Sequence, residues 1–322
     1  MSREAVDKHV SKCVIKALVN ASLFGIDSHG VNLFKHYVEC IEFGRIKPNN
    51  EPSFESRGAV ITCNGNNTFS HYAANKLISR LDKISSELGV AFGSIVNTDH
   101  IAAVGIHGFN AFLPGKMILA FTNADALANS PDGLSTIFGT NPISLVYRNT
   151  KEELLYIDLA TTKFSMNRVK NHRREDKKLP QGVARDASRE ITTNPHHAKT
   201  LEPIGGHKGF ALAFLVEMLT SGVNARTPSH SITPMYSSDL SLERDLTHSF
   251  IVVDPSFFVA NNLPGQDPFS VIESIRQSLS SEQVELSPGK KEANTYKVRS
   301  KEGIPVLDEI YEGWKELGFR NG

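Results

Sequence analysis

Residues 203–209 read Pro203-Ile204-Gly205-Gly206-His207-Lys208-Gly209, and an apolar run from Phe210 to Leu219 follows them at once. The apolar run predicts a buried helix. Glycines let a backbone approach a ligand closely, and the free N–H groups at a helix start attract anions. The side chains of His207 and Lys208 would add positive charge there. Two interpretations are therefore open: a phosphate or carboxylate site on a rigid helix, and a glycine-rich turn with a solvated lysine.

The composition limits the kind of partner. The chain has 322 residues, with 35 Lys and Arg against 35 Asp and Glu, so its formal net charge is zero. A neutral balance gives no global electrostatic case for binding nucleic acid or a membrane. Three scattered cysteines without a CxxC pair argue against a disulfide framework and a zinc site. With no secretory h-region and no membrane-spanning apolar segment, we expect a cytoplasmic protein whose partner is a small molecule.

Apolar periodicity predicts an α/β fold. Apolar residues three or four positions apart predict helices over residues 4–24, over a segment from Asp27 to Ile41, and from Ala73 to Leu88. Apolar runs predict buried strands at 89–96, 117–122, 154–159 and 250–253. Helices that alternate with buried strands favour a parallel or mixed sheet.

The remaining segments carry weaker signals. The polar residues 223–249 predict a long surface loop, and the tail predicts helices over 267–279 and 304–317. No Gly-x-Gly-x-x-Gly opens a helix after a strand, so the Rossmann fingerprint is absent.

Two histidines are candidates for proton transfer. His29 stands in Asp27-Ser28-His29-Gly30, a turn before a helix, and His100 ends Asn97-Thr98-Asp99-His100 after a predicted strand, where α/β proteins bind ligands. Histidine titrates near neutral pH and can exchange the proton that accompanies hydride transfer. The alternatives are a capping turn around His29 and a loop histidine bonded to backbone at position 100.

Other strands also end in small polar residues, which suggests one shared rim. These ends are Thr122-Asn123, Gly139-Thr140-Asn141-Pro142 and the segment from Asp158 to Thr162. The basic cluster at 172–174 and the pair His196-His197 lack the spacing of metal ligands. We therefore expect a solvated basic face and no metal site.

Taken in order, these segments resemble the malate/L-lactate dehydrogenase family of non-Rossmann NAD(P)-dependent oxidoreductases. That family includes ureidoglycolate and sulfolactate dehydrogenases, 2,3-diketo-L-gulonate reductase and cyclic imino-acid reductases. The matching segments are Asp27–Val31, Asn97–His100, Thr122-Asn123, Gly139–Pro142, Asp158–Thr161, Thr193–Pro195, Gly205–Gly209, Pro288–Glu292 and Gly303–Val306.

The resemblance implies a domain organisation and a set of site residues. It implies a mixed-sheet cofactor-binding domain at 66–265, and an N-terminal helical part, 1–65, that packs with the C-terminal helices of 266–322. It also implies a homodimer. His29 would be the proton donor and His100 would lie beside the substrate. The residues implied to bind NAD or NADP are Leu154, Leu155, Tyr156, Ile157, Asp158, Leu159, Ala160, His207, Lys208, Gly289, Lys290 and Lys291.

The chain departs from the family where the substrate carboxylate is gripped. The family usually reads Ser-His-Gly-x-x-Arg with a second arginine three residues later, and these positions are Leu33 and His36 here. Leucine cannot make a bidentate pair with a carboxylate, and histidine makes one poorly. We expect Leu33, His36, Asn123 and Thr140 to face the substrate.

The predicted reaction is hydride transfer between a nicotinamide and a 2-oxo or 2-hydroxy acid. Two alternatives stay open: reduction of a cyclic imine or of a substrate without a carboxylate, and a catalytically degenerate paralogue that binds nucleotide or only dimerises.

Overall fold

A computed structural model of the chain describes residues 6–149, 154–258, 267–281 and 288–318. The helices within these residues are α1 (Lys8–Leu23), α2 (Phe34–Glu42), α3 (Ser70–Leu88), α4 (Val104–Ala111), α5 (Met166–Arg174), α6 (His207–Glu217), α7 (Pro268–Ser281), α8 (Lys290–Glu302) and α9 (Asp308–Glu316). The strands are β1 (Ser53–Arg57), β2 (Val60–Asn64), β3 (Val90–Thr98), β4 (Met117–Thr122), β5 (Ala128–Asn129), β6 (Thr136–Phe138), β7 (Ile143–Arg148), β8 (Leu154–Leu159), β9 (Ala184–Arg185), β10 (Thr200–Leu201) and β11 (Leu246–Val253).

Seven strands form the main sheet in the order β1-β2-β3-β11-β4-β7-β8. In this sheet β2 and β3 run parallel, and every other neighbouring pair is antiparallel. The sheet is therefore mixed, as predicted. Helices α3 and α4 cover it around a core that contains Leu77, Leu81, Ile95 and Phe250.

The strand β11 lies in the middle of this sheet, between β3 and β4. Its first residues, Leu246 to Ser249, are buried, so the predicted surface loop over 223–249 is wrong at its C-terminal end. The polar side chains there are satisfied inside the protein. His248 Nδ1 lies 2.6 Å from Thr122 Oγ1, and Ser249 Oγ lies 2.9 Å from Ser94 Oγ. Polarity in this segment therefore reflects internal hydrogen bonds rather than contact with solvent.

Four short strands form a second sheet, in the order β6-β5-β10-β9. Beside it, Val169 of α5 packs with Leu179, Val183 and Leu201 in a separate apolar cluster. Two of its strands, β5 and β6, precede β7 in the chain, and the other two, β9 and β10, lie between β8 and α6.

The N-terminal and C-terminal helices pack against each other. The ring of Tyr296 in α8 lies 5.2 Å from that of Phe24, just after α1, and Trp314 in α9 contacts Phe34 of α2 at 6.1 Å. These ring contacts join the two ends of the chain. The predicted domain boundaries at residues 65 and 265 stay a prediction, and residue 265 lies outside the described residues.

Short turns replace the start of the second predicted helix. Residues Asp27–His29 and Val31–Leu33 form two 3-10 turns, and α2 begins only at Phe34. Gly30 separates the turns in an extended conformation, with φ −102° and ψ −145°. The N–H of Val31 donates to Ser22 Oγ of α1 at 3.0 Å, so the backbone is held by a side chain and not by a helical bond.

The tail differs from its prediction. The described tail contains α7, α8 and α9, whereas the sequence predicts two helices. The missed helix, α8, begins in the polar segment that follows Pro288, and none of its described residues is buried. A helix made mostly of polar residues lacks the apolar period on which prediction depends. None of the helices described is long and apolar enough to cross a membrane.

Candidate active site

The fold brings His29 and His100 together. Their rings are stacked, with centroids 5.6 Å apart and an angle of 29° between the planes. His29 ends the first turn after α1, and His100 lies between β3 and α4. The sequence predicts both as candidates, and their contact is consistent with one shared site.

Contacts from three residues, Ser28, Asn167 and Arg299, fix the turn that carries His29. Ser28 Oγ lies 2.9 Å from His29 Nδ1. Asn167 of α5 donates to the Ser28 carbonyl at 2.8 Å. The guanidinium of Arg299 in α8 grips the Asp27 carboxylate through two bonds of 2.6 and 3.0 Å. Such a two-bond contact fixes orientation as well as distance, so α8 holds the histidine turn in place.

Hydrogen bonds also fix the tautomer of His100. The backbone N–H of Ala102 donates to His100 Nδ1 at 3.3 Å, and the hydroxyl of Tyr37 lies 2.8 Å from the same nitrogen. An N–H group can only donate, so Nδ1 acts as an acceptor and the proton of the neutral ring sits on Nε2. His100 therefore presents an N–H donor at Nε2.

Both histidines are neutral at neutral pH. Burial lowers the pKa of His29 to about 4. Burial, followed by the neighbouring His29 and Arg244, holds the pKa of His100 well below its ordinary value. A neutral His29 can accept a proton, and a neutral His100 can donate a hydrogen bond from Nε2 without giving up its proton.

A buried ion network supports the His100 loop. Arg244 is 3% exposed and contacts Asp99 Oδ1 at 3.3 Å and Asp125 Oδ1 at 2.5 Å. Asp99 also accepts the N–H of His100 at 2.6 Å. Sequence reasoning missed Arg244 because it lies in a segment predicted as a surface loop. Its pairing with two distant carboxylates leaves no local signal.

A cavity of about 470 Å³ lies beside the histidine turn, between α2, α5 and α9. Its wall includes Ser28, Leu33 and His36. Burial lowers the pKa of His36 to about 4, so this side chain brings no charge to the wall at neutral pH. Leu33 is buried in an apolar cluster with Val14 and Tyr37. At neutral pH, Leu33 and His36 therefore bring no positive charge to this side of the cavity.

Lys170 supplies a positive charge to the opposite wall. It lies on α5, and its Nζ stands 2.9 Å from the centroid of the Tyr236 ring. Burial lowers its pKa to about 8, which leaves it mostly protonated at neutral pH. No carboxylate of the described residues forms an ion pair with Lys170, whereas Lys35 of α2, which also lines the cavity, is paired with Glu316 at 2.8 Å. The sequence did not single out Lys170, because a lone lysine in a basic helix resembles a solvated one.

Asn123 and Thr140 lie away from this cavity. Asn123 is 1% exposed, its Oδ1 accepts the N–H of Thr247 at 2.9 Å, and its Nδ2 donates to the Thr227 carbonyl at 3.3 Å. Both polar groups of its side chain are engaged by backbone, so Asn123 is not free to contact a substrate as predicted. The Thr140 carbonyl accepts both the N–H and the hydroxyl of Thr161 at 2.9 Å, which places Thr140 at the end of β8.

The three segments predicted to bind the cofactor meet along β8. The N–H of Ile204 donates to the Thr161 carbonyl at 2.9 Å, which places residues 205–209 at the end of the strand. A Cβ atom added at Gly289 would lie 2.8 Å from the Tyr156 carbonyl oxygen, so the start of α8 touches the middle of β8.

This arrangement fits a dinucleotide. Gly205 and Gly206 have φ of +56° and +62°, and a Cβ at Gly206 would meet nothing within 4 Å. The exposed side chains beside the starts of the two helices are His207 and Lys208 on α6 and Lys290 and Lys291 on α8. Helix N-termini with adjacent cations suit the phosphates of such a cofactor.

Asp158 is a buried acid beside these segments. Its Oδ2 accepts the Gly105 N–H at 2.9 Å and the Tyr156 hydroxyl at 3.0 Å. Burial nevertheless raises the pKa of Asp158 to about 6. Perturbed carboxylates of this kind cluster at functional sites.

Gly289→Ala is expected to weaken NADH binding and to lower the free energy of unfolding by at least about 1–3 kcal/mol. The new Cβ would collide with the β8 backbone at a residue whose φ is +78°, and so displace the start of α8. Fluorescence titration with NADH and urea unfolding measure the two effects. Gly58→Ala is the control, because φ is +57° there and nothing lies within 4 Å. Unchanged NADH affinity in Gly289→Ala would contradict the placement of the cofactor.

Two neutral histidines lie beside a cavity, and helix starts suited to phosphates lie along a neighbouring strand, which is an arrangement that fits an enzyme with a dinucleotide cofactor. The glycine turn and the mixed sheet place it outside the Rossmann class. The chain belongs to the malate/L-lactate dehydrogenase family, whose family model matches residues 1–315.

Individual relatives agree with this assignment. The malate/(S)-sulfolactate dehydrogenase of Methanothermus fervidus is 28% identical over 316 residues, which cover 97% of this chain and 91% of that protein. The ureidoglycolate dehydrogenase (NAD(+)) of Escherichia coli K12 is also 28% identical over 316 residues, covering 93% and 86%. The crystal structure of delta1-piperideine-2-carboxylate reductase from Pseudomonas syringae superposes with a TM-score of 0.86 at 25% identity, covering 97% and 93%. The predicted family, fold and class of enzyme are confirmed, as is the use of NAD or NADP without a choice between the two.

Proposed function

We propose that the protein transfers hydride between NAD(P)H and the carbonyl carbon of a 2-oxo acid, forming a 2-hydroxy acid, or runs the reverse reaction. The observation that carries this proposal is the stacked contact of His29 and His100 beside a cavity that contains an unpaired cation, Lys170. The relatives act on malate, sulfolactate and ureidoglycolate according to their names, which supports a hydroxy acid as the substrate class.

The two histidines divide the chemistry at the substrate oxygen. The bound nicotinamide supplies or accepts the hydride. In the reductive direction the carbonyl oxygen gains negative charge, and the Nε2–H of His100 stabilises it by a hydrogen bond. His29 then transfers a proton to that oxygen, and in oxidation it removes the hydroxyl proton. The Arg299 contact with Asp27 and the Tyr37 contact with His100 hold the two rings in position.

Lys170 takes the role that the family gives to arginine. The wall formed by Leu33 and His36 is uncharged, so a substrate carboxylate would lie against the α5 side of the cavity. A lysine is a point charge and not a planar fork, so this contact selects for charge more than for carboxylate geometry. This difference supports a substrate that is not the simplest 2-oxo acid of the family.

A cyclic imine with a carboxylate is the second candidate. The uncharged wall at Leu33 and His36 would accept an apolar ring, and the Pseudomonas syringae structure similar to this fold is a piperideine carboxylate reductase. In that reaction His29 would protonate nitrogen in place of oxygen. The degenerate-paralogue alternative predicts nucleotide binding without any turnover.

The assembly and compartment are also proposed. Along and just after α6 the chain exposes apolar side chains, including Phe214 at 52% and Met218 at 47%, which would be covered in a homodimer. Sedimentation analysis of the purified chain tests for this homodimer.

The free thiols Cys40 and Cys63 are buried and form no disulfide, which suits the cytoplasm. Lys290 and Lys291 suit either the shared pyrophosphate or the 2′-phosphate of NADP, so both cofactors stay open.

Titration with NADH and NADPH, followed by a panel of 2-oxo acids and cyclic imines with the better-bound cofactor, tests the proposed function. We expect saturable binding and turnover of at least one class of substrate. Binding of neither cofactor, or binding without turnover of any member of the panel, would exclude the proposal.

The two directions should respond differently to pH. His29 must be neutral to start oxidation, and burial lowers its pKa to about 4, so the rate of oxidation should persist well below the ordinary histidine pKa of about 6.5. Reduction needs the protonated form, so kcat/KM for reduction should fall as pH rises above the lowered pKa. Profiles of kcat/KM against pH in both directions measure this. An acid limb of oxidation at or above about pH 6.5 would contradict the lowered pKa.

A further inference from the structure

A second cavity, of about 500 Å³, lies among α1, α3 and α4, away from the cavity that contains Lys170. The lysines and histidines that line it are His9, Lys12, Lys16, His71, Lys76 and His107. No carboxylate of the described residues lines it. Because the whole chain has no net charge, this groove is a local concentration of positive charge.

Two of the three lysines are not neutralised by a carboxylate. Lys76 is paired with Glu51 at 2.5 Å. Lys12 and Lys16 are exposed, neither forms an ion pair within the described part of the chain, and Lys16 donates to the Asn110 carbonyl at 3.1 Å. They lie four residues apart on α1 and therefore on one face of the helix. An anion in the groove would meet both.

His71 provides an independent sign of a missing ligand. It is 1% exposed, it lines the groove, and neither of its ring nitrogens has a hydrogen-bond partner. Buried polar groups are almost always hydrogen-bonded, so such an imidazole calls for an explanation. A ligand in the groove would satisfy it.

We propose that this groove binds a small phosphate-bearing molecule, with Lys12 and Lys16 at its entrance and His71 at its buried end. Lysine binds phosphate as a point charge and does not need the fork geometry of arginine. The described lining contains lysine and histidine but no arginine. A volume of about 500 Å³ exceeds the need of a bare phosphate and falls within the range of small-molecule sites.

The groove is connected to the catalytic pair through Tyr37. The ring of His71 meets the ring of Tyr37 edge-on at 5.2 Å, and the Tyr37 hydroxyl lies 2.8 Å from His100 Nδ1. A phosphate bonded to His71 fixes the orientation of its ring and favours its protonated form. That change reaches His100 through one aromatic contact and one hydrogen bond, so the groove regulates the active site.

Titration of histidine-labelled protein with inorganic phosphate, followed by NMR of the imidazole C–H groups, tests the site without requiring activity. We expect a saturable shift of the His71 resonance, assigned with His71→Gln. The double variant Lys12→Gln/Lys16→Gln should bind phosphate at least about tenfold more weakly, because it loses two charge-assisted contacts. Lys83→Gln, which changes an exposed lysine elsewhere on α3, should bind as the wild type does.

The same spectra test the connection. The His100 resonance should shift on saturation in the wild type and stay fixed in Tyr37→Phe. Equal phosphate affinity in the double variant, or a shift that chloride reproduces at matched ionic strength, would overturn the site. A His100 resonance that does not move at saturation would overturn the regulatory connection.

Discussion

His29→Asn is expected to lower kcat by about 10²–10⁴-fold, the usual contribution of a positioned proton donor or acceptor. Asparagine keeps a polar atom near the position of Nδ1, so the contact with Ser28 Oγ can persist while the proton-transferring nitrogen is removed. Because β8, α6 and the start of α8 are unchanged, NADH affinity should stay within about twofold of the wild type. Single-turnover rates and NADH titration measure the two quantities separately.

The control for this substitution is His196→Asn, which changes an exposed histidine outside the site. It should leave kcat unchanged. If His29→Asn turned over as fast as the wild type, His29 would not be the proton carrier. If the wild type bound NADH but neither protein turned over any substrate, the degenerate-paralogue alternative would apply.

Lys170→Met is expected to raise KM for a 2-oxo acid by about tenfold to a hundredfold, because a hydrogen bond to a charged group contributes about 1.5–3 kcal/mol. The cavity has no second unpaired cation on the side of Leu33 and His36 that could replace it among the described residues. The effect should fall mainly on KM, since Lys170 contacts the carboxylate and not the reacting carbon.

A neutral analogue separates this role from a general loss of stability. With the methyl ester of the same 2-oxo acid, Lys170→Met and the wild type should differ little, because there is no carboxylate to hold. Lys178→Met, on the exposed side of the same basic segment, should behave as the wild type with both substrates. An equal loss with acid and ester would show that Lys170 supports the fold and does not bind the carboxylate.

The sequence predicts the elements whose apolar pattern is local. The boundaries of β4 and β8 agree with prediction because each strand consists mostly of apolar residues and follows a charged residue in the sequence. Prediction from the sequence fails for α8, none of whose described residues is buried. It also fails for the start of β11, whose polar side chains form hydrogen bonds with side chains of β3 and β4. In these cases the stabilising partner is distant in the chain.

The same distinction applies to the site. Motif chemistry and family resemblance identify His29, His100 and the segments along β8. They do not identify Lys170, Arg244 or His71. The importance of these residues comes from their burial and from their partners: Arg244 pairs with carboxylates, whereas the ring nitrogens of His71 have no hydrogen-bond partner. A lysine or an arginine in a polar segment has the same sequence signature whether it is solvated or buried.

The Arg299 contact with Asp27 has a consequence for insertions and deletions. Both ends of α8 serve the site: Gly289, just before its first residue, lies against β8, and Arg299 holds the turn of His29. One residue inserted between them would rotate one end relative to the other by about 100°, since an α-helix has about 3.6 residues per turn. The guanidinium would then leave Asp27 even if every contacting side chain were retained. The number of residues in this helix is therefore under as much constraint as their identity, although its surface is almost entirely polar.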